Sequence, residues 1–169
     1  MCGYIFLRSN NKKDHKLIKR NIARIERRGP DETNLVQLEN KTMIHTRLSI
    51  VDLDYGQQPM NISNNNNSYW IIFNGEIYNY LELRKELSKD YIFKTNSDTE
   101  VLLASYIVWG ESCLQKINGM YSFLIISNKN EDIFCARDIT GQKPLYYSFK
   151  EDKILISSIP IRFDQKKII

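Results

Sequence analysis

Long apolar runs are missing from this sequence, and none approaches the roughly eighteen residues that a membrane-spanning helix needs. The N-terminus also lacks the charged and apolar regions of a secretory leader. Cysteine is scarce: Cys2, Cys113 and Cys135 are odd in number, far apart and not at metal-type spacing. That usage fits a reducing compartment, so a cytoplasmic protein is expected. The two histidines, His15 and His45, stand at no ligand spacing to each other, to acidic residues or to cysteines, and no metal site is expected. Neither sign of charge dominates, and a net charge of +4 is too mild to argue for a nucleic-acid partner. No internal repeat is present, and no Ser- and Gly-rich loop of the kind that cradles pyrophosphate. What remains, 169 residues with 42% hydrophobic and 26% charged, suits one soluble domain with a core of its own.

Hydrophobic periodicity organises the chain into strands and helices that fall in groups. Tyr4–Leu7 reads as a buried strand. A helix is expected from His15 to Arg28, with Ile18, Ile22 and Ile25 on one face and Lys16, Arg20, Arg24 and Arg27 on the other as a solvated stripe. Gly29-Pro30 ends it. Strands follow at Asn34–Leu38 and Thr42–Arg47, and Leu48 to Pro59 is irregular. Ser63 to Ser68, with four consecutive asparagines, reads as a polar loop tip. Trp70–Phe73 is a strand that stops at the turn-forming pair Asn74-Gly75. A helix at Tyr78–Leu87 and a short strand at Tyr91–Thr95 come next. Ser97-Asp98-Thr99-Glu100 has the spacing of a capping box and opens a helix to Trp109, closed by Gly110. The remainder is strands, at Met120–Ile126, Ile133–Arg137, Leu145–Phe149 and Ile154–Ser157, with turns at Asn128-Lys129-Asn130, Gly141-Gln142-Lys143 and Glu151-Asp152. Tyr146 and Tyr147 are read as packing residues that alternate across their strand. Such grouping implies antiparallel sheets with segregated helix layers.

Four segments supply what a thiol needs to cleave an amide. Removal of Met1 would leave Cys2 with a thiol and a free α-amine on one residue. The unperturbed values, about 8.5 and about 7.7–8.0, let the amine take the thiol's proton near neutral pH. Gly3, without a Cβ, leaves room for a substrate to approach the backbone. Asn74 and Gly75 offer a side-chain NH₂ and a backbone N–H for an oxyanion, although the pair is equally an ordinary turn. Arg47, at a strand end, suits bidentate capture of a carboxylate, or is a plain surface arginine. Asp98, at a helix start, suits an ammonium group, or simply complements the helix dipole. Taken together they describe a pocket for an α-amino acid with an amide side chain, for which glutamine is the obvious candidate. Cys113 and Cys135 read as packing thiols with no part in it.

The blocks Met1-Cys2-Gly3, Arg28-Gly29-Pro30-Asp31, His45 to Leu53 and Gly56-Gln57-Gln58-Pro59 resemble the glutamine amidotransferase domain of asparagine synthetases. So do Phe73 to Asn79, Ser97 to Val101, Asn118-Gly119-Met120 and Ala136 to Tyr147. They run in family order over most of the chain, from residue 1 to about 150. The resemblance implies an α+β fold, a four-layer αββα sandwich of the N-terminal-nucleophile type, with residues 1–169 forming the amidotransferase domain. It implies Cys2 as nucleophile, Asn74 and Gly75 as oxyanion donors, Arg47 and Asp98 on the glutamine carboxylate and amine, and Leu48, Ser49, Ile50, Val51 and Glu76 lining the pocket. In the family such a domain forms a glutamyl thioester, releases glutamate, and passes ammonia to a second domain. That second domain activates aspartate with ATP and magnesium, and no cofactor is expected in this one.

Three features depart from the pattern. Thr33-Asn34 stands where a glycine usually follows the Arg-Gly-Pro-Asp block, and Ser157-Ser158-Ile159-Pro160 lacks a glutamate usual after the serine. Residues 1–169 contain no synthetase domain, and the last strands of the sandwich are expected to be shortened. The expected ammonia acceptor is therefore another domain or a partner chain, and this chain alone is expected to be at most a slow glutaminase. Ile159, Ile161, Phe163, Ile168 and Ile169 are read as an apolar edge awaiting cover. The alternatives are a stand-alone N-terminal-nucleophile amidohydrolase, disfavoured by Arg47 and Asp98, and a glutamine-sensing module, disfavoured by an intact Cys2.

Overall fold

A computed structural model describes residues 1–64, 67–129 and 132–163, the side chain of Asn64 excepted. The elements in chain order are β1 (Gly3–Arg8), α1 (Lys12–Lys19), α2 (Ile22–Glu26), β2 (Glu32–Leu38), β3 (Lys41–Arg47), β4 (Met60–Asn64) and β5 (Asn67–Ile77). There follow α3 (Tyr80–Leu87), α4 (Asp98–Trp109), a 3₁₀ turn (Gly110–Gln115), β6 (Gly119–Ser127), β7 (Ile133–Arg137), β8 (Tyr146–Lys150) and β9 (Lys153–Ser157). The chain divides into two compact units, one of residues 1–48 with 144–169, the other of residues 49–143.

The first unit is a five-stranded antiparallel sheet in the order β2-β3-β1-β9-β8. β1 lies at its centre, and Tyr4 to Leu7 are wholly buried, as the apolar run requires. Ile5, Leu7, Ile44 and Leu155 form a core with Ile18 and Ile25 from the helices. The expected helix over 15–28 is two helices, because the Asn21 side chain donates to the Leu17 carbonyl at 3.0 Å and interrupts the backbone ladder. Its two faces still divide as expected, with Lys16, Arg20, Arg24 and Arg27 exposed. Ile159, Ile161 and Phe163 pack on this same core and form no bare edge. Ile168 and Ile169 lie outside the described residues. Tyr146 and Tyr147 are 46% and 69% exposed, contrary to their reading as packing residues, because β8 is the sheet's edge strand.

Gly3 has a different purpose from the one expected. A Cβ there would lie 2.7 Å from Thr46 Oγ1 and 2.9 Å from Ile25. The missing side chain admits β3 and α2 against β1, so the space beside Gly3 belongs to the protein.

The second unit is a four-stranded antiparallel sheet, β4-β5-β6-β7, with α3 and α4 packed on it through Leu83, Leu87, Val101, Leu102 and Ala104. β5 runs well past Phe73: Asn74 pairs with Ser122 and Gly75 with Tyr121, so Asn74-Gly75 is strand and not turn. A Cβ on Gly75 would fall 2.1 Å from the Met120 carbonyl, and that close approach requires the glycine. β4 was hidden among polar residues, and no strand forms at Tyr91–Thr95. Of the expected asparagine loop, Asn65 and Asn66 lie outside the described residues, as does Asn130 of the turn after β6.

Asp138 closes the turn after β7. It accepts from the backbone N–H groups of Tyr121, Gln142 and Lys143 and from the Thr140 hydroxyl at 2.9–3.2 Å. Burial by itself raises its carboxyl, but these donors outweigh burial and hold it at about 2. A lowered folded value contributes stability that is fully present above the unfolded carboxylate range and is lost as pH falls through about 2. Asp138→Ala strands these donors, so it is expected to cost about 2–4 kcal/mol in urea melts, unchanged across neutral pH. A loss under about 0.5 kcal/mol, the ordinary surface range, would show that the turn does not depend on it.

Candidate active site

In the first unit the candidate nucleophile precedes the central strand. Cys2 is half-buried, one residue before Gly3, which pairs with Thr46. On the neighbouring strand the next residue is Arg47, the last of β3. The Leu48 backbone N–H donates to Cys2 Sγ at 3.5 Å, and the Leu48 carbonyl lies 3.8 Å from the same sulfur. Arg28 Nε donates to the Cys2 carbonyl at 3.1 Å and fixes the chain where the nucleophile leaves the sheet. Arg28 escaped the reading of individual residues, although it stands in one of the family-like blocks. Its neighbour Gly29 is fully enclosed, with Thr46 O 2.3 Å from where a Cβ would lie. Arg47 is buried, and its Nη1 lies 3.8 Å from Glu32 Oε2. Cys2, Arg47 and Leu48 are thus brought together.

In the second unit two buried polar groups, one on β5 and one bonded to its end, each lack the partner their chemistry calls for. Asn74 is 1% exposed, and among the described residues its Nδ2 finds no acceptor. A stranded amide donor costs about 1–3 kcal/mol, and its retention points to an acceptor that arrives with a ligand. Asp98, in the first turn of α4, is 6% exposed. Its Oδ2 accepts from the Ile77 N–H at the end of β5, at 3.1 Å, and among the described residues no cationic side chain pairs with it. Burial pushes its carboxyl up to about 6; the N–H groups of Ile77 and Thr99 oppose this, and the charge of Glu76 adds to it. A buried carboxylate raised in this way is a place for an ammonium group. Gly75 and Glu76 follow Asn74 on β5, and Ser49, Ile50 and Val51 open the irregular segment ahead of β4, with Ile50 exposed.

The loop before α4 is held by a device that the capping-box spacing half predicts. The Ser97 side chain does accept from the Thr99 N–H. Glu100 does not reach back to Ser97. It accepts instead from Tyr91 Oη, from the N–H groups of Lys94 and Thr95, and from Thr95 Oγ1, at 2.7–2.9 Å. Cys113 and Cys135 are pushed up by burial, to about 11 and about 12, which keeps both thiols protonated and unreactive. Among the described residues no cluster of His, Cys, Asp or Glu could hold a metal ion, and no helix is long and apolar enough to cross a membrane.

A half-buried cysteine at the head of a strand, a stranded amide donor and an unpaired carboxylate are matched by sequence likeness over nearly the whole chain. The model of the glutamine amidotransferase domain family matches residues 1–166. The chain belongs to that family. It is 42% identical over 164 residues to asparagine synthetase [glutamine-hydrolyzing] 1 of Bacillus subtilis, covering 94% of this chain and 26% of that protein. To asparagine synthetase B of Escherichia coli it is 37% identical over 131 residues, 77% of this chain and 23% of that protein. The chain thus spans about a quarter of the length of such relatives. Among solved structures, the glutamine phosphoribosylpyrophosphate amidotransferase of B. subtilis, complexed with ADP and GMP, superposes with a TM-score of 0.78 at 22% identity. That match covers 93% of this chain and 42% of the other. At that identity the match speaks for the fold, a sandwich of the N-terminal-nucleophile type with two antiparallel sheets. Its sequence likeness is to the amidotransferase part of asparagine synthetases, and the matches lend no support to a sensor or an unrelated hydrolase.

Proposed function

We propose that this domain hydrolyses glutamine to glutamate and ammonia through a thioester on Cys2. With Met1 removed, the Cys2 amine takes the thiol's proton, and the thiolate attacks the side-chain carbonyl of glutamine. Electron density moves onto the carbonyl oxygen, where Asn74 Nδ2 and the Gly75 N–H stabilise it. Collapse breaks the C–N bond, the Cys2 ammonium returns its proton to the leaving nitrogen, and ammonia departs. Water then cleaves the thioester, with the amine as base, and glutamate leaves. Arg47 holds the substrate carboxylate and Asp98 its ammonium, while Leu48 to Val51 and Glu76 line the pocket. None of these steps calls for a cofactor or a metal. The observation that carries the reading is the pair of buried groups in the second unit, an amide donor on β5 with no acceptor and a carboxylate in the first turn of α4 with no cation. Glutamine answers both at once.

The ammonia is destined, on this reading, for a synthetase domain or partner that amidates aspartate with ATP and magnesium. Nucleic acid and membrane have no part in it, and a cytoplasmic setting suits three cysteines that are all free.

Two substitutions separate the roles. Asn74→Ala is expected to lower kcat for glutamine by roughly 10²–10³ with little change in KM, because an oxyanion donor acts mainly in the transition state. Arg47→Ala is expected chiefly to raise KM, because its charge-assisted pair exists in the ground state as well. Steady-state glutamate release checks both. Exchanged signatures, with Asn74→Ala altering KM alone, would reverse the assignment, and no glutamate from the wild-type protein would end it.

A further inference from the structure

One buried side chain is bonded to the neighbours of both Asn74 and Asp98. β4 begins at Met60, opposite Ile71, so antiparallel pairing continued ahead of it would set Pro59 opposite Ile72 and Gln58 opposite Phe73. Pro59 has no N–H to give and the ladder stops. The Phe73 N–H is left facing the end of the ladder, and Gln58 Oε1 accepts it at 2.6 Å. An N–H can only donate, so this bond fixes which end of the Gln58 amide is oxygen. The other end, Nε2, donates to Thr99 Oγ1 at 3.2 Å. Gln58 and Thr99 are both buried.

The sequence positions give these bonds their meaning. Phe73 immediately precedes Asn74, and Thr99 immediately follows Asp98. The β6 side of Asn74 is fixed by the sheet, through its pairing with Ser122. On the opposite edge the β4 pairing stops at Ile71, and Gln58 supplies the hydrogen bond to Phe73. The same amide then reaches the first turn of α4. A side chain that bonds to two elements through one planar group sets their separation more tightly than two independent contacts would, because the amide cannot flex between its oxygen and its nitrogen.

We propose that Gln58 is a positioning residue for glutamine hydrolysis: it sets the distance between the oxyanion donor Asn74 and the ammonium site Asp98. Gln58 touches no reacting atom. The inference rests on the glutaminase reading, and its consequence is that the two ends of Gln58 control different properties. The Phe73 bond governs how well Asn74 meets the oxyanion, and the Thr99 bond governs how well Asp98 meets the α-amine.

The test uses the full protein with two substrates, glutamine and glutaramate, which is glutamine without its α-amine. Thr99→Val is isosteric and removes only the bond to Gln58. It is expected to lower kcat/KM for glutamine roughly tenfold, well short of the about 10²-fold that a misplacement of about 1 Å can cost. Glutaramate turnover is expected to stay within about twofold, since Gln58 still holds Phe73 and a substrate without an amine does not use Asp98. Selectivity for the amine-bearing substrate therefore collapses by about the same tenfold factor. Thr99→Ser, which restores a hydroxyl, should recover it. Gln58→Leu, which loses both bonds, should lower kcat for both substrates by a similar order. Loss of selectivity in Thr99→Val with recovery in Thr99→Ser supports the role, and thermal melts of all variants supply the control for folding. Wild-type selectivity in Thr99→Val, or an equal fall for both substrates that follows the melting temperature, overturns it. A wild-type protein that cleaves neither substrate overturns instead the glutaminase reading on which it rests.

Discussion

Cys2→Ala is expected to abolish glutamine hydrolysis, a loss on the order of 10⁶ if the nucleophile carries the weight it does in other acyl-transfer enzymes, while the protein stays folded. The fold has little stake in this side chain. Cys2 precedes β1, is only half-buried, and its sulfur meets the Leu48 backbone at 3.5 and 3.8 Å. The buried residues of the central strand begin at Gly3, and none of them changes. The chemistry has everything at stake, because base and nucleophile belong to the same residue. Cys2→Ser keeps the geometry but offers a hydroxyl far less acidic than a thiol, and it is expected to fail as well. Protein that keeps Met1 should also be silent, since an amide nitrogen at Cys2 is no base. Glutamate release, paired with intact-mass measurement of the N-terminus and of a quenched thioester, checks all three. Wild-type turnover in Cys2→Ala would end the mechanism.

Much of this site was legible because the chemistry selects residue types that stand out even without a structure. A cysteine after Met1, an Asn-Gly pair after an apolar run and an aspartate beside a capping serine are each readable locally, and Ser97 caps α4 as its position implies. Local rules failed where a distant segment decided the outcome. Asn-Gly favours turns, yet β6 approaches so closely that Gly75 is needed inside a strand. Tyr91–Thr95 has strand-like composition, yet Glu100 takes its backbone donors and holds it as a loop. β4 does alternate, with Met60 and Ile62 buried between exposed Asn61 and Ser63, but a neighbouring asparagine run disguised it as loop. The link from Gln58 to Phe73 and Thr99 joins residues 15 and 41 positions apart and leaves no periodic trace.

The second large effect pairs a loss of function with a gain of stability. Asp98→Asn is expected to weaken glutamine binding by roughly 10²–10⁴, since breaking a buried ion pair costs about 3–5 kcal/mol. The same substitution is expected to stabilise the ligand-free protein at neutral pH. Burial raises the Asp98 carboxyl from 3.8 to about 6, and the nearby charge of Glu76 works in the same direction. Each unit of such a shift corresponds to about 1.4 kcal/mol, so the folded protein carries up to about 3 kcal/mol of unfavourable charge above pH 6. The sign follows from proton binding. Because the folded value lies above the unfolded one, the native state holds the proton more readily, and stability rises as pH falls through about 6 toward 3.8. Asparagine removes the charge and keeps an oxygen for the Ile77 N–H, so the variant should melt several degrees higher near pH 8 and nearly the same as wild type near pH 4. Ligand reverses the balance, because the substrate ammonium compensates the carboxylate and pulls its proton off. Glutamine affinity of the wild-type protein should accordingly fall as pH drops below about 6, whereas the weak binding of Asp98→Asn should show no such step. Melting curves at both pH values and a glutamine titration decide it: an Asp98→Asn protein that melts lower near pH 8, or binds glutamine as wild type does, would show that this carboxylate is a structural helix charge and not the seat of an ammonium.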